Sequence, residues 1–356
     1  MVNIQLFKKM SFGLKEIKFF TRHRKGTDSV KSFLTIIPLL LFTCFFSCQK
    51  DEKTKTEFTI RASLLVNERH TWYKAFEYFG KRVSEESGER IAFEVYPSEQ
   101  LAKESEAIRM IKAEIIDMTT TGAVLTNWLE IAVFCEMPFL IKNEAQKDAL
   151  INGEIGERIK NEILEQTGFR SIAYFQAGPR MLTSNRPISH PDDLKGLILR
   201  VPNVPSFITA WDALGAKPTP MAFSEVFTSL QQGAIEAMEN PLALIYSGGF
   251  AEVQKYVNLT AHVDSWSYVV FGEKQFRKLP MELQQVILNC AREMQEYEYQ
   301  LHIQEEQRIK TQLMERGMEF VQVDRKAFSS AAKQALFESL SPEMQKVYDQ
   351  IQELGN

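Results

Sequence analysis

The sequence predicts an α/β protein of two lobes, braced by a long helix near its C-terminal end. Three observations predict it. Strand-like and helix-like apolar periods alternate from residue 57 to residue 238. The rhythm starts afresh near residue 177. Residues 281–316 then run 36 positions without glycine or proline, a continuous helix of roughly 50 Å, longer than one compact domain needs.

The elements follow in order. Residues 57–66 (EFTIRASLLV) read as a first strand. Residues 71–87 place Trp72, Ala75, Phe76, Phe79 and Val83 on one helical face, closed by Ser87 and Gly88. Residues 91–96 (IAFEVY) form a strand stopped by Pro97, 103–113 a helix and 115–118 a short strand. This is the order of a largely parallel sheet. Residues 144–166 read as helix, 168–176 and 197–201 (LILRV) as strands, 206–214 as a helix closed by Gly215. Residues 223–232 are a helix ended by Gly233, and 234–238 a strand. After the long helix come a last strand at 318–323 and an amphipathic helix over 325–354.

The N-terminal segment is of another kind. Basic residues from Lys8 to Lys31 precede an apolar run, FLTIIPLLLFTCFF at 33–46, followed by Ser47 and Cys48. A membrane-spanning helix needs about 20 apolar residues; this run is shorter and carries Pro38. A basic region, a short apolar core and a small residue at the cut describe a secretory signal. The cysteine after the small residue resembles a bacterial lipoprotein signal over 1–48, acylated at Cys48, although Phe45 stands where that pattern prefers leucine. An uncleaved anchor helix is the alternative. Residues 49–56 then form a hydrophilic linker. Without 1–48, which hold eight basic and two acidic residues, the chain keeps 34 basic and 44 acidic residues, a net of −10. That charge disfavours nucleic acid as a partner, and an anionic ligand needs locally placed cations.

No enzyme signature is present: no GxSxG, HExxH, GxxxxGK[ST] or GxGxxG. The histidines are scattered without metal-ligand spacing, so neither catalysis, metal nor cofactor is expected. Cys135 and Cys290 read as packed thiols rather than a disulfide framework. Two arginines stand out. Arg200 lies inside the apolar strand LILRV, and Arg180 ends QAGPR after a strand. A buried guanidinium requires a partner, and ligands bind at strand ends of open α/β sheets. A ligand carboxylate and a structural ion pair satisfy both positions equally. Asn240 before Pro241 suits a ligand contact or a turn, and Phe223 a cleft wall or core packing.

The stretches PRMLTSNRPISHPDDLKGLILRVPN (179–203), GAKPTPMAFSEVFTSLQQGAIEAMENP (215–241) and EVQKYVNLTAHV (252–263) resemble the DctP family. These are solute-binding subunits of tripartite ATP-independent periplasmic (TRAP) transporters. VYPSEQLAKESEAI (95–108), EIIDMTTTGA (114–123) and MPFLIKNEAQKDAL (137–150) add to the likeness. The resemblance implies the two-lobed periplasmic binding protein fold with a central cleft. Lobe I takes 57–177 with 266–305, and lobe II takes 178–265 with 306–356. It implies that Arg200 binds a ligand carboxylate with Arg180 and Asn240 alongside, that Phe223 and Glu104 line the cleft, and that the loop of Asn67 and His70 faces it. The places where sialic-acid-binding members carry a glutamate and an arginine fall near Gly122 and Leu125, so a sugar acid or a C4-dicarboxylate is the expected ligand. The implied partners are TRAP membrane subunits, with the protein a monomer tethered in the cell envelope or periplasm. A receptor of the same fold without a permease is the alternative.

Overall fold

The structure, a computed structural model, describes residues 56–355. Cys48 and the signal-like segment lie outside the described residues.

The chain opens with β1 (Phe58–Ser63), α1 (Thr71–Glu86), β2 (Ile91–Tyr96), α2 (Glu104–Lys112) and β3 (Met118–Thr121). β1 pairs in parallel with both β2 and β3, as the rhythm predicts. α1 buries the five apolar residues on its predicted face. His70 starts it, its Nδ1 accepting from the Trp72 N–H at 3.2 Å. The strand expected at 115–118 forms three residues later. Glu114 turns the chain at φ 58°, and Ile115 is left exposed.

Two 3₁₀ turns, Ala123–Asn127 and Glu130–Cys135, lead to α3 (Glu144–Asn152) and α4 (Glu154–Thr167). The single helix expected over 144–166 is thus broken. Gly153 sits at the break, where a Cβ would lie 2.4 Å from the Ala149 carbonyl oxygen. β4 (Phe169–Ser184) continues well past its predicted end. A second parallel unit follows: β5 (Ile198–Val201), α5 (Pro205–Ala213), β6 (Lys217–Pro220), α6 (Phe223–Gln231) and β7 (Ala237–Pro241), with β5 between β6 and β7. After α7 (Leu242–Ser247) comes β8 (Tyr256–Gly272), a 17-residue strand to which the sequence reading assigned nothing. The run of Asp264, Ser265 and Ser267 interrupts its apolar alternation. Then come α8 (Glu273–Lys278), α9 (Met281–Glu315), β9 (Glu319–Val321), α10 (Arg325–Glu338) and α11 (Pro342–Glu353). The last two replace one predicted helix. Ser341 Oγ caps the second at Met344 N–H, and Pro342 begins it.

All strands join one sheet in the order β2-β1-β3-β8-β4-β7-β5-β6, with β9 beside β8. Each end of the sheet is parallel, and the antiparallel pair β4–β8 connects them. The expectation of a largely parallel sheet therefore holds within each end and fails at the centre. The β4–β8 register shifts between Gln176 and Gly178, opposite Trp266 and Ser265, and Gly178 takes φ 74°.

α9 serves two cores. Its first half packs Leu283, Ile287, Ala291 and Met294 with Phe76, Phe79 and Val83 of α1. Its last turns pack Ile309 and Leu313 with Val226 and Leu230 of α6. Each of the larger side chains contributes about 1.5–3 kcal/mol by leaving water. A third core gathers α2, both 3₁₀ turns, α5, α10 and α11. Cys135 and Cys290 are buried free thiols. Among the described residues no helix is long and apolar enough to cross a membrane.

Candidate functional site

Two cavities lie against the C-terminal edges of β5 and β7. An inner chamber of about 70 Å³ and an outer one of about 640 Å³ share Leu65, Glu104, Val124, Arg200, Pro202 and Phe223. Polar contacts draw the outer rim together. Lys103 Nζ lies 2.7 Å from Glu225, the Ser224 N–H donates to Glu99 at 3.1 Å, and Asn127 donates to the Asn203 carbonyl at 3.0 Å.

Arg200 is 3 % exposed at the middle of β5. Its Nε and Nη2 both donate to the Met221 carbonyl, at 3.0 and 2.6 Å. Among the described residues no carboxylate comes within 4.0 Å of it. Burial pushes its pKa down to about 10; Glu239 pulls upward against this, and Arg180 adds to the fall. It stays a cation at neutral pH. A buried guanidinium with a carbonyl but no carboxylate in contact is costly to hold, and it suits the carboxylate of a ligand.

Arg180 is held differently. Its Nε and Nη2 grip the Glu239 carboxylate at 2.5 and 2.8 Å, and Nη2 also donates to Asn240 Oδ1 at 3.0 Å. The guanidinium carbon lies 5.1 Å from the Phe207 ring centre. His262 extends the group, with Nε2 2.9 Å from Glu239 and Nδ1 2.9 Å from Thr260 Oγ1. Burial opposes charge on both partners, yet Glu239 holds Arg180 above its ordinary pKa and Arg180 holds Glu239 below its own. Of the two readings open for Arg180, this geometry satisfies the structural ion pair; its Nη1 stands 3.6 Å from Glu136, and the residue lines the inner chamber.

The other expected residues divide. Glu104, at the first turn of α2, accepts from Thr121 Oγ1 at 2.9 Å, and burial followed by Glu136 pushes its pKa up to about 8. Phe223 walls both cavities and meets Phe250 edge-on at 5.8 Å. Asn240 and His70 line the inner chamber; burial drives the His70 pKa down to about 3, so the ring is neutral. Asn67 lines neither cavity, contrary to expectation. Its amide is spent on two backbone partners, donating to the Ser247 carbonyl at 2.7 Å and accepting from the Arg69 N–H at 3.1 Å.

Sequence reasoning missed Glu136, Thr120 and Ser265, all in the inner wall. Glu136 had a signal: it is the one acid within the apolar run 131–140. The hydroxyls of Thr120 and Ser265 are buried without a protein partner. No cluster able to hold a metal ion occurs among the described residues.

Residues 62–350 match the DctP family, described as bacterial extracellular solute-binding protein, family 7. The chain belongs to this family. A solute-binding protein of Roseobacter denitrificans is 43 % identical over 322 residues, covering 90 % of this chain and 99 % of the relative. The crystal structure of a TRAP periplasmic solute-binding protein from that organism, with bound L-galactonate, matches at TM-score 0.82 and 45 % identity, over 84 % of this chain and 99 % of the other. The 2,3-diketo-L-gulonate-binding periplasmic protein of Escherichia coli is 32 % identical over 77 % of this chain and 84 % of its own length. A TRAP periplasmic solute-binding protein from Polaromonas, bound to D-erythronate, matches at TM-score 0.80 and 26 % identity, over 84 % of this chain and all of the other. DctP relatives are solute-binding proteins, not enzymes, and their two-lobed fold is the one the sequence predicts.

Proposed function

We propose that the protein is the extracytoplasmic receptor of a TRAP transporter. It captures a small organic acid, Arg200 grips the ligand carboxylate, and the loaded protein delivers it to the membrane permease. The observation that carries this reading is Arg200, buried with a carbonyl partner and no carboxylate within 4.0 Å. Asn240 and Phe223 complete the wall, and Arg180 contributes its field from within the Glu239 pair. A relative with bound L-galactonate at 45 % identity supports a sugar acid over a C4-dicarboxylate.

The same proposal includes the lobes and the tether. Lobe I takes 57–177 with 266–305 and lobe II takes 178–265 with 306–356, hinged at the Gln176–Gly178 register shift. Export through the N-terminal signal and acylation of Cys48 would hold the protein at a membrane surface.

Thermal unfolding with uronates, aldonates, dicarboxylates and neutral sugars tests this function. A ligand at 100 times its Kd stabilises by about 2.7 kcal/mol. The expected result is a shift with an acid that Arg200→Ala abolishes. A shift with neutral sugars alone overturns it.

A further inference from the structure

Resting on the carboxylate reading of Arg200, we propose that Glu136 selects a ligand with one carboxylate and a hydroxylated body, and turns away an acid with two carboxylates. Charges of both signs line the inner chamber. Its cations are Arg180 and Arg200. Arg180 is already matched by Glu239, which leaves Arg200 for one ligand carboxylate. Glu136 lies in the same wall, and Glu104 beside it is held largely as the neutral acid. A second ligand carboxylate held beside Glu136 meets like charge in a site of low dielectric, since the remaining cations, Lys103 and Arg109, line the outer chamber and not the inner one.

Hydroxyl groups fit that wall. A carboxylate accepts strong hydrogen bonds from O–H donors. The Glu136 side chain is 15 % exposed, and at 3.6 Å its Arg180 neighbour stands beyond hydrogen-bond range. Beside it, the buried Thr120 and Ser265 hydroxyls have no protein partner, and an unpaired buried hydroxyl is costly unless something at the site completes it. The backbone makes room for this arrangement. A Cβ at Gly122 would lie 2.8 Å from Glu136 Oε1, so the lack of a side chain at 122 lets the carboxylate occupy its place. Glu136 is thereby a specificity residue, and Gly122 positions it.

Two probes differing at one end test the proposal: galactonate, an aldonate, and galactarate, the aldarate with the same hydroxylated body. Calorimetric titration at neutral pH should show the protein preferring galactonate by about 100-fold. Glu136→Gln should narrow that ratio at least about tenfold, since one charged hydrogen bond and one repulsion disappear together. Gly122→Ala, which leaves Glu136 in the chain but displaces its carboxylate, should narrow the ratio in the same direction, and a thermal melt reports whether each variant folds. Equal affinity of the parent for both acids overturns this inference while leaving the carboxylate reading intact, as does an unchanged ratio in folded variants. If no organic acid binds the parent, the carboxylate reading falls and this inference with it.

Discussion

Arg200 and Met221 are joined by two hydrogen bonds to one acceptor: Nε and Nη2 both reach the Met221 carbonyl, at 3.0 and 2.6 Å. The carbonyl aims the guanidinium but supplies no counter-charge. Without ligand, therefore, Arg200 is a liability to the fold, because a buried charge lacking a partner ion costs more than it returns. Arg200→Met keeps volume and removes charge. It should leave urea stability of the ligand-free protein unchanged or higher, while ligand affinity falls by the equivalent of about 2–5 kcal/mol. A large loss of ligand-free stability would show that the arginine has a structural partner.

Arg180 predicts the opposite sign. It is closed onto Glu239, which is fully buried and also contacts His262. Arg180→Met strands that carboxylate and should cost about 3–5 kcal/mol in urea unfolding. Adding Glu239→Gln removes the stranded charge and should recover part of the loss, a coupling that a double-mutant cycle reads directly. Additive losses would sink the pairing.

Glu298, near the middle of α9, supplies a pH dependence. Its carboxyl accepts from Thr71 Oγ1 at 3.0 Å and from the Gln176 N–H at 3.2 Å. Burial pushes its pKa from the ordinary 4.5 up to about 8. Between those values the native protein holds a proton that the unfolded chain has released. This contribution to stability is thus fully present below 4.5 and declines as pH rises, until about 8. The slope is at most about 1.4 kcal/mol per pH unit. Glu298→Gln should remove one proton's worth of that slope in urea melts across this window. A variant with the parent slope would place the titration elsewhere.

The rim ion pair predicts a kinetic effect. Lys103 and Glu225 meet at 2.7 Å with their side chains 43 % and 50 % exposed, so salt screens the pair and the fold gains little from it. On the proposed capture of a ligand behind this rim, the pair acts on ligand release instead. Lys103→Ala should leave the melting temperature unchanged and speed ligand release in stopped-flow displacement. High salt should speed release from the parent and not from the variant. Equal salt response in both would remove the pair from the closing contacts.

Much of this was legible along the chain, and the limits have a common cause. The parallel units declare themselves because apolar periods and their Gly or Pro stops are local signals, as at Gly215 and Gly233. Arg200 declared itself by standing in an apolar strand. Its lack of a carboxylate partner did not, because that depends on what the whole fold brings near. The Arg180–Glu239 pair spans 59 positions and is set by the β4–β7 register, which aligns Leu182 with Glu239. Asn67 misled for the same reason: its partner Ser247 lies 180 positions away. β8 escaped because its polar residues face buried polar neighbours rather than solvent, and alternation is a signal only where one face is wet.

Gly178 gives the last test, at the register shift of β4. Its φ of 74° is one that side-chain-bearing residues adopt at a cost, and a Cβ there would stand 3.2 Å from His302 Cε1 of α9. Two penalties therefore meet at one position: left-handed backbone, about 1–2 kcal/mol, and a crowded contact with the helix shared by two cores. Gly178→Ala should lower stability by about that amount or somewhat more. If the proposed hinge is here, affinity should fall as well, although residue 178 lines only a separate small cavity near α9 and not the two that hold Arg200. His302→Ala relieves the contact but not the backbone, so the double variant should recover part of the lost stability. If Gly178→Ala loses stability with affinity unchanged, the bend is structural and the proposed hinge does not lie there.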